Sequence, residues 1–443
     1  MVESQRNRIK QGELIDRDKT IHFRFNGKDY TGFAGDTLAS ALLANDVHLI
    51  GRSFKYHRPR GIATSGIEEH SALVQLGPDT KRTEPNIRAT QVELYDGLVA
   101  TSQNCSPSVK FDTQAVNDFV YPLLPAGFYY KTFMWPRALW DKLYEKVIRR
   151  AAGLGKAPEA EDPERYDHHY AHADVLVAGG GPSGLMAALS AARAGARVII
   201  ADENADFGGA LLGDTVELDG KNGRQWAQDI LEELKTYEDV TILPRTTVAG
   251  YYSYNYLTLV ERVQDHLPFE ERTEDIPRQR FWQVRAKQAV LATGAIERHM
   301  VFHQNDRPGI MLAGAARDYA NRFGVLPGKN IVVATNNNSA YRAALDLQKA
   351  GAKVTIFDVR PEPEGADISA AENNGITIYK GYTLLGTKGR KHIQSVSFAG
   401  LDTKDDVKGP AQDLECDLLC VSGGWNPVVH LHSHTKSEIA YDD

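Results

Sequence analysis

Apolar positions change rhythm along this chain. Residues 20–32 (TIHFRFNGKDYTG) alternate around an Asn26-Gly27 turn and predict a β-hairpin. The stretch TLASALLAND then carries its apolar residues at helical spacing, with Asp36 placed to cap it. A basic, irregular loop follows at 52–61, then strand-like pieces at 72–76 and 91–95. This hairpin–helix–loop–strand order predicts a small ubiquitin-like or ferredoxin-like β-grasp domain over residues 1–105. Residues 106–170 read as a connector. They hold an aromatic, proline-punctuated block at 119–136, a helix at 138–152 and a charged linker at 156–165. The block suits a domain or subunit interface as well as satellite core under a long loop.

From Asp174 the apolar runs lengthen. Asp174-Val-Leu-Val-Ala-Gly-Gly-Gly-Pro-Ser-Gly184 reads as a buried strand, a glycine turn and the start of an alanine-rich helix, and Val198-Ile-Ile-Ala-Asp202 as a second strand. Gly179, Gly181 and Gly184 fit G-x-G-x-x-G: one for the tight turn, one for backbone approach to a pyrophosphate, one for close helix–strand packing. The helix N-terminus would offer its free N–H groups to the phosphates. Asp202 stands where a ribose-binding acid belongs and would repel a 2′-phosphate, so NAD or FAD is expected rather than NADP. The pattern then repeats. Asn330-Ile-Val-Val-Ala-Thr-Asn-Asn-Asn-Ser-Ala340 and Lys353-Val-Thr-Ile-Phe-Asp358 overlay the first pair without a gap, with Thr335 on Gly179, Asn337 on Gly181, Ala340 on Gly184 and Asp358 on Asp202. The second fold is therefore expected to be intact in structure but weak, altered or inactive in dinucleotide binding, because side chains at Thr335 and Asn337 crowd a pyrophosphate.

Composition narrows the function classes. A net charge of −7 without a dense basic run argues against a nucleic-acid partner. No run is long and apolar enough for a membrane span, and the polar start does not read as a secretory signal. The three cysteines, Cys105, Cys416 and Cys420, fit a reduced, cytoplasmic setting better than a disulfide scaffold. Cys416 and Cys420 read as core packing rather than ligands.

Further signals resemble the flavoproteins with two dinucleotide domains, the glutathione-reductase-like class. Phe207-Gly208-Gly209 follows Asp202 where relatives carry a glycine pair near the cofactor. Ala289-Val-Leu-Ala-Thr-Gly-Ala295 is a strand ending in a Thr293-Gly294 turn, and Cys416-Asp-Leu-Leu-Cys-Val-Ser-Gly-Gly-Trp-Asn-Pro427 reads as the strand that returns to the first domain. Val248 matches the position that lines the adenine pocket in that class. The fold class that follows is α/β, with two dinucleotide-binding folds, one inserted in the other, after a β-grasp ferredoxin-like domain lacking cluster cysteines. The expected bounds are 171–327 with 412–443 for the first fold and 328–411 for the inserted one.

The β-grasp start, Phe128-Tyr-Tyr-Lys-Thr-Phe-Met-Trp-Pro136, Arg149-Arg-Ala-Ala-Gly-Leu-Gly155, the glycine turn, Asp306-Arg-Pro-Gly309 and Val421-Ser-Gly-Gly-Trp-Asn-Pro-Val428 occur in an order and spacing that together resemble the α subunits of heterotetrameric sarcosine oxidases, from about residue 15 to about residue 432. The resemblance implies a complex that oxidises sarcosine with oxygen, giving glycine, hydrogen peroxide and either formaldehyde or methylene-tetrahydrofolate. It implies NAD bound without hydride turnover in the first fold, at Gly179, Gly181, Ser183, Gly184, Asp202, Glu203, Gly208, Gly209, Val248, Thr293 and Gly294. It also implies a flavin-bearing β subunit, FMN at the interface with that subunit, and smaller γ and δ subunits. Relatives with the same β-grasp start can carry a two-iron cluster, but residues 1–104 contain no cysteine, so no iron–sulfur cluster is expected. The chain also stops soon after Pro427, where the family continues into a folate-binding half, so it reads as a fragment or truncated product.

Other readings stay open at this stage. One is an FAD-dependent opine or amino-acid oxidase subunit. Another is a stand-alone FAD or NAD(P)H oxidoreductase, which the altered second turn disfavours; the lack of a C-x-x-C pair argues against disulfide reductase chemistry. A third is a nucleotide-stabilised scaffold. Asp167-His-His-Tyr-Ala-His172 carries no cysteine and no firmly placed acid to complete a metal shell, so no metal is expected. The basic residues of 52–60 suit a loop packed on the next domain better than an anion site. His299, His303, His430, His432 and His434 form no acid–base pair by spacing, and no catalytic residue is nominated.

Overall fold

Asn26 (φ 52°) and Gly27 (φ 75°) both adopt the left-handed conformation of a tight hairpin turn. They join the antiparallel strands Asp16–Phe25 and Lys28–Ala34. The computed structural model describes residues 5–12, 14–79, 82–123, 127, 135–404 and 406–440. Most of the aromatic motif Phe128–Pro136 lies outside the described residues. The hairpin extends into a five-stranded sheet, continuing through Leu98–Ser102, Leu73–Leu76 and Glu84–Arg88. The helix Leu38–Ala44, buried along its whole length, packs on this sheet as in a β-grasp fold.

Two local expectations change. The helix is capped by Thr37, not Asp36, and Thr37 and Ser40 form a reciprocal capping box. Asp36 is turned inward at 1% exposure, where it accepts Ser40 Oγ (2.6 Å), the Phe33 N–H (2.9 Å) and the Arg8 guanidinium (2.6 and 3.1 Å). Residues 91–95 do not form a sheet strand. Their backbone runs to the helix start instead, through Leu38 N–H to Val92 O and Leu94 N–H to Asp36 O, and the strand lies earlier, at Glu84–Arg88.

The chain divides into two compact units: Met1–Asp162 with Arg298–Gly424, and Pro163–Glu297 with Trp425–Asp443. In the first unit the β-grasp core is continuous with that of the second dinucleotide fold. That fold is a parallel sheet in the order Ile310–Leu312, Leu418–Ser422, Asn330–Thr335, Lys353–Asp358, Thr377–Lys380. A three-stranded antiparallel sheet accompanies it, Tyr382–Gly389, Ile393–Leu401 and Val407–Glu415. This corrects the expected bounds 171–327, 328–411 and 412–443. Leu418–Ser422 does not return to the first fold but is an inner strand of the second, buried at every position. Such an apolar run, without alternation, suits a parallel strand covered on both faces. The crossings lie instead at Glu297/Arg298 and Gly424/Trp425.

The second unit holds the first dinucleotide fold. Its six-stranded sheet runs Val240–Leu243, Val198–Ala201, Tyr166–Ala178, Gln279–Leu291, Tyr256–Arg262, Thr246–Tyr252. The first four strands are parallel and the last three form an antiparallel meander. The helices Pro182–Arg193 and Gly223–Leu234 pack together over one apolar cluster centred on Val177, Leu185, Leu189 and Ile200. Ala295–Glu297 and Trp425–Pro427 pair to close the unit.

Candidate nucleotide site

The glycine turn sits between the strand Tyr166–Ala178 and the helix Pro182–Arg193, and each of its glycines has a separate reason. Gly179 has φ +103°, and a Cβ there would lie 2.2 Å from Ala292 O. A Cβ on Gly184 would lie 1.9 Å from Gly179 O, so this glycine lets the helix close on the turn. Gly181 differs. Its φ is −70°, and a Cβ would come no nearer than 4.0 Å to any neighbour, Gly209 Cα. The protein itself does not require glycine at 181; open space for a ligand backbone-close to the turn is what the position offers. Gly181 is also the N-cap, and no side chain caps the helix, so its first N–H groups face outward beside the exposed Ser183.

Asp202 ends the second strand at 7% exposure. Its Oδ2 accepts the Gly180 N–H at 2.6 Å, and its Oδ1 accepts the Asn204 backbone N–H (2.8 Å) and Nδ2 (3.0 Å). The glycine pair closes on the same turn. Gly208 N–H donates to Gly180 O at 2.8 Å, and Gly208 and Gly209 have φ +131° and +54°. Thr293 and Gly294 follow Ala292, whose carbonyl covers Gly179. Thr293 Oγ1 donates to Val428 O at 2.6 Å, and Val428 N–H donates to Gly294 O at 2.9 Å. Val248 lies in the strand Thr246–Tyr252, whose first residue donates its N–H to Asp202 O at 2.7 Å. Half-buried Glu203 adjoins Asp202, with its carbonyl held by Arg262 at 2.8 Å. Gly179, Gly184, Asp202, Gly208 and Gly209 thus meet at one turn, and Glu203, Val248, Thr293 and Gly294 lie close in sequence to residues that touch it. Sequence reasoning missed Asn204 and gave Phe207 no role of its own: Asn204 braces the acid, and a Cβ at Gly180 would strike the Phe207 ring at 2.2 Å. The Asp-x-Asn spacing at 202–204, an Asx-turn pattern, is the signal for the first.

The second fold fills its own turn. Thr335 Oγ1 accepts the Asn337 N–H at 3.0 Å, and Asn337 Nδ2 reaches Ser422 at 3.1 and 3.2 Å. Asp358, fully buried, is taken up by Tyr341 Oη at 2.8 Å and by Arg360 at 2.7 and 3.0 Å. Burial, with Asp358 adding, pushes the Tyr341 hydroxyl pKa well up.

The remaining candidates disperse. His168 and His169 point to opposite faces of an extended strand, one against Phe281 and the other stacked on Trp282. Among the described residues no three His, Cys, Asp or Glu side chains converge as a metal shell. His430, His432 and His434 lie on a five-residue helical turn, with His434 Nδ1 accepting the Tyr251 N–H. Arg58 and Arg60 of the basic loop both engage Asp306, Arg58 through two bonds of 2.7 Å. His299, in the same unit, lines a pocket of about 260 Å³ with His70, Asn305 and Arg307, and burial lowers its pKa.

Residues 18–105 match a 2Fe-2S iron-sulfur cluster binding domain. Such a cluster needs four thiolates, and residues 18–104 contain no cysteine, so the side chains present do not fit it. The sarcosine oxidase subunit alpha of Rhizobium meliloti (strain 1021) is 48% identical over 428 residues, covering 96% of this chain and 42% of the relative. That of Corynebacterium sp. (strain U-96) is 38% identical over 436 residues, covering 97% and 40%. The chain thus spans about two fifths of the length of these curated relatives. L-proline dehydrogenase from P. horikoshii shares the fold at a TM-score of 0.63 and 19% identity, covering 97% of this chain and 66% of that one. Among the described residues no helix is long and apolar enough to cross a membrane. The remaining match runs from the first nucleotide-binding strand through the closing segment, residues 173–442, and over that majority of its length this chain belongs to the pyridine nucleotide-disulphide oxidoreductase family.

Proposed function

We propose that this chain is the nucleotide-binding portion of the α subunit of a multisubunit sarcosine oxidase, with NAD resident in its first dinucleotide fold. The observation that carries the reading is the 48% identity to a sarcosine oxidase subunit alpha across 428 residues. The site supports it. The uncapped helix start and the open face of Gly181 would receive the pyrophosphate, the acid pair Asp202 and Glu203 the ribose, and the side of Val248 the adenine.

NAD bound here supplies a fixed structural nucleotide rather than hydride transfer. The filled second turn, with Asp358 already engaged by Arg360 and Tyr341, speaks for that assignment. Amine oxidation then belongs to a flavin on a β subunit, FMN lies where the β subunit meets this one, and γ and δ subunits complete the complex. No residue of this chain is assigned a catalytic role. The test is to denature the purified chain and identify what it releases by absorbance and mass. NAD without flavin is the expected result. Tightly bound FAD would move the chain towards an opine-oxidase-like or self-contained flavoprotein, and release of no nucleotide would overturn the resident-NAD reading.

A further inference from the structure

A domain matched to 2Fe-2S proteins, yet without the thiolates to hold a cluster, raises the question of what fills the place of one. Plant-type two-iron clusters are held by C-x4-C-x2-C, with a fourth cysteine farther along. Laid with its first position on Thr64, in the loop of the matched segment, that spacing selects Glu69 and Ala72, and Thr90 lies beyond them. All four are buried, at 2%, 1%, 0% and 3% exposure. They also lie together. Ala89 N–H donates to Ala72 O at 2.9 Å, and Thr90 Oγ1 donates to Gly66 O at 2.7 Å, which brings the fourth position onto the loop that carries the other three.

The centre of that loop is occupied by a side chain. Glu69 Oε2 accepts the Ala63 N–H (2.9 Å), the Thr64 N–H (2.8 Å) and Thr64 Oγ1 (3.3 Å). Its Oε1 accepts the Ser71 N–H (2.6 Å) and the Ala72 N–H (2.9 Å). Four backbone N–H groups from both ends of the loop therefore converge on one carboxylate. Concave sets of backbone N–H groups bind anions, iron–sulfur clusters among them, and hydrogen bonds to the sulfurs are part of how a cluster is held. Arg88 Nε fastens the Glu69 carbonyl at 2.9 Å, and Tyr319 Oη fastens the Thr64 carbonyl at 2.8 Å, so the loop is braced from outside as well. The one cysteine inside the match, Cys105, directs its sulfur to the Ser102 carbonyl.

We propose that the Glu69 carboxylate is an internal replacement for the cluster. It stands at a ligand position, supplies the negative charge the N–H cradle is shaped for, and keeps the loop folded without metal. Thr64, Ala72 and Thr90 fill the other three ligand positions as small side chains that need no metal. The inference is independent of which nucleotide the other unit binds.

The deciding experiment restores the thiolates in the full chain: T64C, E69C, A72C and T90C together, treated anaerobically with ferric iron and sulfide. The expected result is uptake of about two iron atoms per chain, visible charge-transfer absorption, and an electron paramagnetic resonance signal on reduction. A variant that unfolds without iron and folds as the cluster assembles supports the proposal equally. A variant that takes up no iron in either state overturns it. A second measurement reads the cradle itself. Glu69→Gln keeps the shape but turns one acceptor into a donor facing two N–H groups. Amide exchange at Ala63, Thr64, Ser71 and Ala72 should quicken by roughly 10-fold; unchanged protection at all four would overturn the role given to Glu69.

Discussion

The Gly180 N–H donates to the Asp202 carboxylate at 2.6 Å across 22 residues of sequence, so the acid at the end of the second strand holds the glycine turn in place. Asn204 holds the other oxygen of the same carboxylate. Asp202 is therefore both a ribose candidate and a brace. Asp202→Ala leaves the buried Gly180 N–H without its acceptor, which costs about 1–3 kcal/mol. The expected outcome is a lower melting temperature together with weakened nucleotide binding, measured by thermal unfolding and by titration calorimetry. A stability unchanged from the native chain would show that the turn does not depend on the carboxylate.

Glycine positions within one motif should separate stability from binding. A side chain at 181 meets open space in the protein and the expected path of the pyrophosphate outside it. Gly181→Val should melt close to the native chain stripped of nucleotide and release no nucleotide on denaturation. Gly184→Ala places a methyl 1.9 Å from Gly179 O, so helix and strand must separate. That overpacking should lower stability by about 1–3 kcal/mol and remove the nucleotide as well. Nucleotide retained by the Gly181 variant would move the pyrophosphate elsewhere.

What was legible in the sequence was local. Gly179, Gly181 and Gly184 declare themselves because their roles depend on φ and on the absence of a Cβ within a few residues of chain. The overlay of Thr335 and Asp358 on Gly179 and Asp202 is likewise a matter of spacing, and both pairs end parallel strands. Pairing across long separations was not legible. Leu418–Ser422 is an apolar run that any parallel sheet would accept, and only its neighbours, Ile310–Leu312 and Asn330–Thr335, assign it to the second fold. Asp36 looked like a cap because it precedes a helix; its burial against Arg8 decides otherwise, and Thr37 takes the cap. Glu69 carries no signal in the sequence, since nothing in one dimension shows four N–H groups closing on it.

The contact between Arg58 and Asp306, 248 residues apart, makes stability pH-dependent at the acid end. Burial alone would raise the Asp306 pKa, but the Arg58 and Arg60 guanidiniums outweigh it and hold the carboxyl down, to about 2. A folded-state pKa below the unfolded value of 3.8 stabilises the fold above pH 4, and that contribution is lost as pH falls towards 2. It amounts to about 2 kcal/mol at neutral pH. Asp306→Asn should lose about that much at pH 7. The gap between native chain and variant should close between pH 4 and 2, as followed by chemical denaturation at each pH. A constant gap would place the effect in packing rather than charge.

Cys416 and Cys420 should be inert in the folded chain and Cys105 slow to react, in contrast to the disulphide chemistry in the family's name. Burial pushes the Cys416 thiol up to about 12, with Asp417 adding to the shift. From a reference value of 9.0, that leaves about 1,000-fold less thiolate at neutral pH. Cys420 is at 0% exposure inside the strand Leu418–Ser422, and burial and then Asp112 raise the half-buried Cys105. No two cysteines stand in C-x-x-C spacing. Alkylation of the native chain at pH 8, followed by peptide mass spectrometry, should modify Cys105 slowly and leave Cys416 and Cys420 unmodified until denaturant is added. Rapid native labelling of Cys416 or Cys420, or a disulfide linking them, would require the inner strand of the second fold to open.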